Sequence, residues 1–272
     1  MKRWGWLCPW LGIALAAGVL MLWGLSWWTA LLAALLLVCP ALLLWGLYIA
    51  RPQPDQPDAP TRGMTMNWAA PFYDLYCPAV GLGRGFRAQT LGHAAIRPGE
   101  RVLDVGCGTG VLTRMALDAS GPSGVAVGID PAARMIRVAR ETAARLGSRA
   151  EFKVAAIEAL PFPDAEFDLV LSSLMLHHLP PDTKRRGLAE VYRVLKPGGR
   201  LVVADFAHPS NPLWWLVLWP FLMMPSVADN LRGRVQGRIR AAGFTQVENR
   251  GHRAGLVTFW TAVKPLKEGG AS

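Results

Sequence analysis

The longest charge-free run in the sequence extends from Trp4 to Ala50, and it limits the possible folds more than any other feature. Nearly every residue in it is apolar, Gly, Trp or Cys. A helix that spans a bilayer needs about 20 apolar residues, so the run is long enough for two. The sequence predicts membrane helices near Leu7–Leu25 and Trp28–Ile49, with a turn around Gly24–Ser26.

Positive charges flank this run on both sides. Lys2 and Arg3 precede it, and Arg51 and Arg62 follow it. Because positive residues stay on the cytoplasmic side of a membrane, we expect both ends of the hairpin in the cytoplasm and the rest of the chain on that face of the bilayer. A cleaved signal peptide is the alternative, but the run is too long and no clear small-x-small cleavage site ends it.

A Pro-rich, polar segment, residues 51–63, separates the apolar run from the remainder of the chain. Such a composition is typical of a short, extended linker. The sequence therefore predicts three parts: a hairpin over residues 1–50, a linker over 51–63 and a globular domain over 64–272. We expect that domain to stay soluble and to keep binding its ligand when Met1–Gly63 is deleted.

Strand and helix patterns alternate from Arg101 onward. This alternation predicts an α/β fold with a mostly parallel sheet and helices on both faces. The predicted strands are Arg101–Val105, Val125–Ile129, Glu151–Ala155, Phe167–Ser172 and Arg200–Asp205, and the predicted helices are Thr109–Leu117, Pro131–Leu146 and Asp182–Leu195.

A glycine-rich turn follows the first of these strands. Gly106, Gly108 and Gly110 permit close approach of a ligand to bare backbone. Val111 stands where a dinucleotide fingerprint has its third small residue, and Asp104 precedes the glycines, where it would repel a pyrophosphate and accept a hydrogen bond from a cationic amine. Asp130 ends the next predicted strand, where a carboxylate can hold a ribose or cap the following helix.

Composition excludes several other classes of protein. The four cysteines form no CxxC pair and no metal-ligand spacing with His, so we expect neither a disulfide scaffold nor a metal site. The net charge is +10, but no nucleic-acid motif accompanies it; a basic chain with an apolar run more simply faces anionic lipid. Part of this charge lies on one predicted helix with Arg232, Arg234, Arg238 and Arg240.

Four successive segments carry a resemblance to a known family, and residues 68–87 resemble the segment that precedes the glycines in it. The segments are VLDVGCGTG, GIDPAARMI, EALPFPDAEFDLVLSSLMLHHL and YRVLKPGGRLVVADF. They resemble class I S-adenosylmethionine-dependent methyltransferases, above all the ubiquinone/menaquinone C-methyltransferases and bacterial phospholipid N-methyltransferases. The resemblance implies a doubly wound, seven-stranded, mostly parallel sheet in a methyltransferase domain, with S-adenosylmethionine as cofactor.

The resemblance also implies which residues hold that cofactor. Asp104 would meet the methionine moiety, Asp130 the ribose, and Ser173 would lie beside the cofactor near the substrate. Ala156 and Ile157 stand where the family supplies an acid or amide to the adenine, so only their backbone can contribute. The glycine turn would wrap the cofactor through Gly106, Cys107, Gly108, Thr109 and Gly110.

Removal of a proton from a poor nucleophile requires a base. His177 and His178 follow the fourth predicted strand, on the substrate side, and are the candidate catalytic residues. Tyr73, Asp74 and His208 are weaker candidates. Adjacent side chains point in different directions, so we expect at least one of the two histidines to be structural.

The segment Pro212–Pro225 contains three Trp residues and follows the fifth predicted strand. It is too short to span a bilayer, and it is either a core helix or an interfacial element that admits an amphiphile. We expect a lipid-like acceptor, either the amine of phosphatidylethanolamine or a ring carbon of a prenylated quinone precursor. A tethered small-molecule methyltransferase and a non-catalytic cofactor-binding protein are the alternatives.

Overall fold

The computed structural model describes residues 56–67, 69–70 and 72–266. The predicted hairpin helices, Leu7–Leu25 and Trp28–Ile49, lie outside these residues. Among the helices of the described residues, none has the length and apolarity to cross a membrane.

The described chain alternates helices and strands. In chain order the elements are α1 (Tyr73–Ala79), α2 (Arg84–Ala94), β1 (Arg101–Val105), α3 (Val111–Ser120), β2 (Val125–Asp130), α4 (Ala133–Arg145), β3 (Glu151–Val154), β4 (Phe167–Ser173), α5 (Pro181–Val194), β5 (Leu195–Phe206), α6 (Trp215–Leu218), α7 (Pro225–Leu231), α8 (Val235–Ala241), β6 (Thr245–Arg253) and β7 (Val257–Val263). Short 3₁₀ turns occupy Leu176–His178, Pro212–Trp214 and Trp219–Met223.

Within the described residues the strands form one seven-stranded sheet in the order β3-β2-β1-β4-β5-β7-β6. All neighbouring pairs from β3 to β5 are parallel, whereas β7 runs antiparallel to both β5 and β6. The predicted α/β fold with a mostly parallel, seven-stranded sheet is thus confirmed. From β1 the chain adds β2 and β3 on one side of the sheet, and it then continues with β4 on the other side of β1. At such a reversal the carboxyl ends of the strands border a crevice, here formed by β1, β2 and β4.

Alternating side chains of the strands build two cores, one on each face of the sheet. Leu103 and Val105 of β1 pack on the face that α5 and α8 cover. Val102 packs on the opposite face, against α2, α3 and α4. Asp104 shares the face of Val102, so its buried carboxyl points toward α3. The position of this acid follows directly from the two-residue period of a strand.

Most predicted elements differ from the observed ones at one or both ends, and three of the differences have consequences. The helix predicted from Thr109 starts at Val111, because Gly110 has a left-handed backbone with φ of +75°. The fifth strand is longer than Arg200–Asp205 and starts at Leu195. The basic residues 232–240 do not form one helix, since Gly233 with φ of +74° separates α7 from α8.

The Trp-rich segment, residues 212–224, is not a core helix. It breaks into two 3₁₀ turns and the single-turn helix α6. The exposed fractions of Leu213, Trp219 and Met223 are 66%, 62% and 82%. Of the two interpretations that the sequence left open, burial in the core is therefore excluded.

Candidate active site

Two clefts meet at the carboxyl ends of β1, β2 and β4. The larger has a volume of about 640 Å³ and extends along β2 toward the loop after β3. The smaller, of about 380 Å³, lies between β1 and the helices α1 and α2. Tyr73, Gly106 and Leu174 line both clefts and mark their junction. We call the two the long cleft and the short cleft.

The glycine turn forms the floor of this junction. Gly106 has φ of +74°, a conformation that L side chains rarely adopt. A Cβ at Gly106 would also lie 2.3 Å from Cγ of Met175. Glycine is required here for its backbone conformation and for the close packing of Met175.

Asp104 closes the inner end of the short cleft. Its Oδ2 accepts a hydrogen bond of 2.6 Å from Oγ1 of Thr113, and its Oδ1 is buried with no partner among the described residues. Burial, reinforced by the nearby charge of Asp130, raises the pKa of Asp104 to about 7. A buried carboxylate oxygen without a partner favours a cationic donor strongly.

Asp130 lies on the wall of the long cleft at the end of β2. Its Oδ2 accepts from N of Gly108 at 3.0 Å, and its Oδ1 accepts from N of Ala132 at 2.9 Å. Burial raises the pKa of Asp130 to about 6. Each oxygen retains a free lone pair toward the cleft, so the carboxylate can fix the glycine turn and bind a diol together.

Arg87 of α2 supplies a positive charge on the short cleft, opposite in sign to Asp104. An acid and a guanidinium on the walls of one small cleft match the ammonium and carboxylate of a free amino acid. Sequence patterns did not single out this residue, because α2 reaches β1 only through tertiary packing. Its place at the end of the segment 68–87 was the one available signal.

Residues 58–67 form a strap along the rim of the long cleft. N of Ala59 donates to O of Pro131 at 3.0 Å, and N of Met64 donates to O of His178 at 3.1 Å. Oδ1 of Asp58 accepts from N of Ala133 at 2.9 Å, at the start of α4. Thr61 and Gly63 line the cleft. This part of the predicted linker therefore contributes to the site.

The far end of the long cleft is formed by the loop after β3. Ile157 lines it through an apolar side chain, whereas Ala156 is buried and lines neither cleft. Glu158, which the sequence analysis did not select, lines the cleft beside them. A polar side chain is thus present at this end, two residues later in the sequence than the motif suggested.

Helix α1 is fastened to the glycine turn. Oγ1 of Thr109 donates a hydrogen bond of 2.6 Å to Oδ1 of Asp74. The ring of Tyr73 lies 3.6 Å from the position of a Cβ on Gly108. Burial raises the pKa of the Tyr73 phenol above its ordinary value, so this residue stays neutral. Asp74 therefore has a structural role, since it holds α1 against the glycine turn. Tyr73 lines the junction of the two clefts.

The two candidate histidines separate as expected. His178 lines the long cleft, and its Nδ1 is buried with no partner among the described residues. Burial and the neighbouring His177 lower the pKa of His178 to about 4, so its imidazole is neutral. His177 lines neither cleft; its Nδ1 lies 2.7 Å from Oδ1 of Asp205. His177 is therefore a positioning residue and not a group that reaches a ligand.

Several other predicted residues occupy different places. Cys107 and Ser173 line the short cleft with Asp104. Thr109 and Gly110 line neither cleft, because Thr109 turns toward Asp74 and a Cβ on Gly110 would lie 2.4 Å from the ring of Phe152. His208 is exposed and contacts the ring of Trp215 instead. In the described residues no cluster of potential metal ligands occurs.

Comparison with known proteins agrees with this geometry. A family model described as a methyltransferase domain matches residues 102–199. The solved structure of an S-adenosylmethionine-dependent methyltransferase from Aquifex aeolicus superposes with a TM-score of 0.55 at 20% identity, over 74% of this chain and 100% of that chain. The strand order and the glycine turn define this chain as a class I S-adenosylmethionine-dependent methyltransferase.

Curated relatives narrow the class. The ubiquinone/menaquinone biosynthesis C-methyltransferase UbiE of Ectopseudomonas mendocina is 34% identical over 218 residues, 71% of this chain and 84% of that protein. The UbiE protein of Bordetella parapertussis is 42% identical over 135 residues, 50% of this chain. The chain spans about half the length of that Bordetella relative, 52%. The chain belongs to the ubiquinone/menaquinone C-methyltransferase family.

The charged and polar groups of the clefts fit S-adenosylmethionine in order along the sheet edge. Asp104, whose Oδ1 has no hydrogen-bond partner among the described residues, lines the short cleft, where an α-ammonium would lie. Asp130 follows at the end of β2, where a ribose diol would lie. The cleft junction between them would hold the sulfonium. The order of these three features along the sheet edge is the order of the ammonium, the sulfonium and the ribose in S-adenosylmethionine.

Proposed function

We propose that the chain transfers a methyl group from S-adenosylmethionine to a ring carbon of a prenylated quinone precursor at a membrane surface. The observation that carries the proposal is the cleft junction, where the acid-and-arginine end and the diol-binding end leave one position for a sulfonium. Family membership favours the ring carbon as acceptor. A phospholipid amine, a small soluble acceptor and binding without catalysis are the competing outcomes of the test below.

When bound, the cofactor supplies an electrophilic methyl group on a sulfonium. The protein's contribution is alignment and exclusion of water. Asp104 and Arg87 fix one end of the ligand and Asp130 fixes the middle, so the reacting carbon is held at the junction. Tyr73, Leu174 and Met175 give the junction apolar and aromatic walls, which keep water away from the transfer.

His178 is the residue of the long cleft that can act on the acceptor. Its imidazole lines the cleft and is neutral, so it can accept a hydrogen bond from an acceptor hydroxyl. Such a bond increases electron density on the ring of a hydroquinone. As the ring carbon bonds to the methyl group, the bond from that methyl group to sulfur would break and leave a neutral thioether, and the same ring carbon would then lose its proton to water. The pair His177–Asp205 supports this position from behind: the rings of His177 and His178 lie 4.0 Å apart between centroids.

Methyl transfer in vesicles tests this function. The full chain with isotopically labelled S-adenosylmethionine and a prenylated hydroquinone should give a product labelled on a ring carbon, located by mass spectrometry. In His178→Ala, we expect kcat to fall about 100-fold with unchanged cofactor affinity. Label in the phosphatidylethanolamine fraction would instead identify an amine acceptor. Cofactor binding without label in any lipid or small molecule would contradict the proposed catalysis.

An apolar rim on the surface supports the membrane location. It consists of the exposed side chains of α1 and of the Trp-rich segment, which are Leu75, Tyr76, Val80, Leu213, Trp219, Phe221 and Met223. The turn between β6 and β7 links both parts: Nε1 of Trp214 donates to O of Ala254 at 2.9 Å, and Arg253 donates to O of Gly81 at 3.1 Å. Exposed aromatic and aliphatic side chains beside arginines are typical of interfacial elements.

The apolar rim and the N-terminal apolar run would have complementary roles at a membrane. A hairpin over residues 1–50 would hold the chain at the cytoplasmic membrane, and the rim would orient the clefts toward the bilayer. The short cleft opens beside the rim, because Leu82 lines it just after the turn at Gly81. An amphiphilic acceptor would then reach the junction without leaving the interface.

Replacing Trp219, Phe221 and Met223 together with Ser should lower turnover of a vesicle-borne acceptor about tenfold and leave turnover of a short-chain, water-soluble analogue unchanged. Trp214 and Trp215 are unsuitable for this test, because the first bonds to Ala254 and the second packs on His208. Leu146→Ser is a matched control, since this residue is 65% exposed at the end of α4. An equal loss of turnover with both acceptors would show that the three residues support the folded structure and do not contact the membrane.

A further inference from the structure

Arg253 lies at the end of β6, where the β6–β7 turn joins the apolar rim. Its guanidinium donates to O of Gly81 at 3.1 Å and to Oε1 of Gln89 at 3.2 Å. Both acceptors are uncharged, and no acid within the described residues forms an ion pair with Arg253. The next residue, Ala254, accepts from Nε1 of Trp214. A positive charge without an acidic partner therefore lies beside the start of the Trp-rich segment.

A second arginine lies near the Trp-rich segment, in the turn between α7 and α8. A Cβ on Gly233 of this turn would lie 3.9 Å from Cβ of His208. The ring of His208 contacts that of Trp215, with 5.6 Å between the centroids. Arg232, which precedes the glycine, is exposed and has no ion pair in the part of the chain that the structure describes. Arginines from two different turns thus border the same apolar segment.

The stretch of chain that contains the Trp-rich segment has very few acids. Residues 206–247 include four arginines and a single acid, Asp229. The side chain of Asp229 is 1% exposed and pairs with Nζ of Lys184 at 3.1 Å and with Nη2 of Arg238 at 2.6 Å. Because two cations already enclose this acid, it offsets none of the charge of Arg232 at the surface.

An apolar surface bordered by arginines matches the two layers of a bilayer interface. Exposed side chains such as Trp219 and Met223 fit the boundary between headgroups and acyl chains. A guanidinium binds a phosphate through two parallel hydrogen bonds. A nucleic acid would also supply phosphates, but it has no apolar layer that could cover aliphatic side chains. The combination of both kinds of side chain favours a lipid surface.

We propose that the apolar rim binds a bilayer surface rich in anionic lipid, whose phosphates Arg232 and Arg253 contact. In a zwitterionic headgroup an ammonium offsets the phosphate, whereas an anionic headgroup leaves its negative charge to the arginine. The proposal rests on the membrane location in the proposed function and adds the class of lipid to it. It does not involve the chemistry of methyl transfer, since neither arginine lines a cleft.

Hydrogen exchange of the backbone amides in residues 212–224, followed by mass spectrometry, tests the proposal. The full chain is compared in detergent, in vesicles of phosphatidylcholine, and in vesicles of equal parts phosphatidylcholine and phosphatidylglycerol. Exchange should be about tenfold slower in the vesicles with phosphatidylglycerol than in those without it. High salt should reduce this difference, because it screens exposed charges.

Charge reversal at one exposed arginine tests the role of these charges. Arg232→Glu should lower the difference between the two kinds of vesicle to about threefold or less, and the fold should be unaffected because the side chain has no partner within the described residues. Arg145→Glu is the matched control, since this residue is exposed at the end of α4 and lies outside the rim; it should keep the full difference.

Each other outcome would overturn the proposal in its own way. Equal exchange in both kinds of vesicle, slower than in detergent, would reject the preference for anionic lipid and leave the membrane location intact. Exchange as fast in vesicles as in detergent would reject the membrane location as well. Equal slowing in detergent by an RNA oligonucleotide would assign the surface to a nucleic acid instead.

Discussion

Replacing Asp104 with Asn should weaken binding of S-adenosylmethionine about 100-fold or more and, at pH 8, stabilise the cofactor-free fold. The carboxyl group is buried and lines the short cleft, and its Oδ1 has no hydrogen-bond partner within the described part of the chain. Loss of one member of a buried charged pair costs about 3–5 kcal/mol, and the ammonium of the cofactor would lose its counter-charge. Isothermal titration measures this loss directly.

The gain in stability follows from the pKa of Asp104, which burial raises to about 7. An unfolded chain has an Asp pKa of about 3.9, so the folded state prefers the protonated acid. The stability that this acid contributes is present below about pH 4 and is lost as the pH rises to about 7. Asn carries no charge. The Tm of Asp104→Asn without cofactor should therefore be higher than the Tm of the unsubstituted chain at pH 8, and the two Tm values should be equal near pH 4.

Binding should have the opposite pH dependence. The cofactor ammonium requires ionised Asp104, so affinity should increase as the pH rises through about 7 and become nearly independent of pH above that. In Asp104→Asn this part of the dependence should vanish, although Asp130, with a pKa of about 6, still titrates. A pH profile identical in both proteins would show that Asp104 does not meet the ammonium.

The sequence sufficed for those parts of the site that are local in the chain. Asp104, Gly106 and Gly108 lie within one strand and its following turn, and Asp130 ends the next strand. Strand period and turn chemistry were therefore enough to select these four residues, which line the clefts in the structure. Strands β6 and β7 were not predicted individually. In the structure the pairing register between them shifts twice. Their neighbours, and not their own residues, determine where they lie.

Residues that reach the clefts from distant elements were missed. Arg87 meets the short cleft from α2, and Thr61 meets Glu158 across 97 positions of sequence. Neither contact leaves a periodic signal, because it depends on how helices and strap pack on the finished sheet. The same reason explains Thr109, which the resemblance assigns to the turn that wraps the cofactor: its hydroxyl donates to Asp74 of α1, a contact that the sequence does not indicate.

Two shortened chains should differ sharply in cofactor binding, although both lack the N-terminal apolar run. A chain that begins at Gln56 keeps the strap and should bind S-adenosylmethionine with the affinity of the full chain. A chain that begins at Met64 loses Thr61 and Gly63 from the cleft lining and leaves N of Ala133 without its Asp58 acceptor. We expect its affinity to fall at least about tenfold for each hydrogen bond that closure of the strap provides.

Thermal unfolding without cofactor is the control for this pair, because the sheet and both of its cores lie entirely after Met64. Both chains should therefore unfold cooperatively, and the difference should appear in the shift of Tm that saturating cofactor produces. A linker without a role in the site predicts equal shifts. Equal Tm shifts would thus show that residues 58–63 are only a linker. A Tm shift confined to the longer chain would show that the strap is part of the cofactor site.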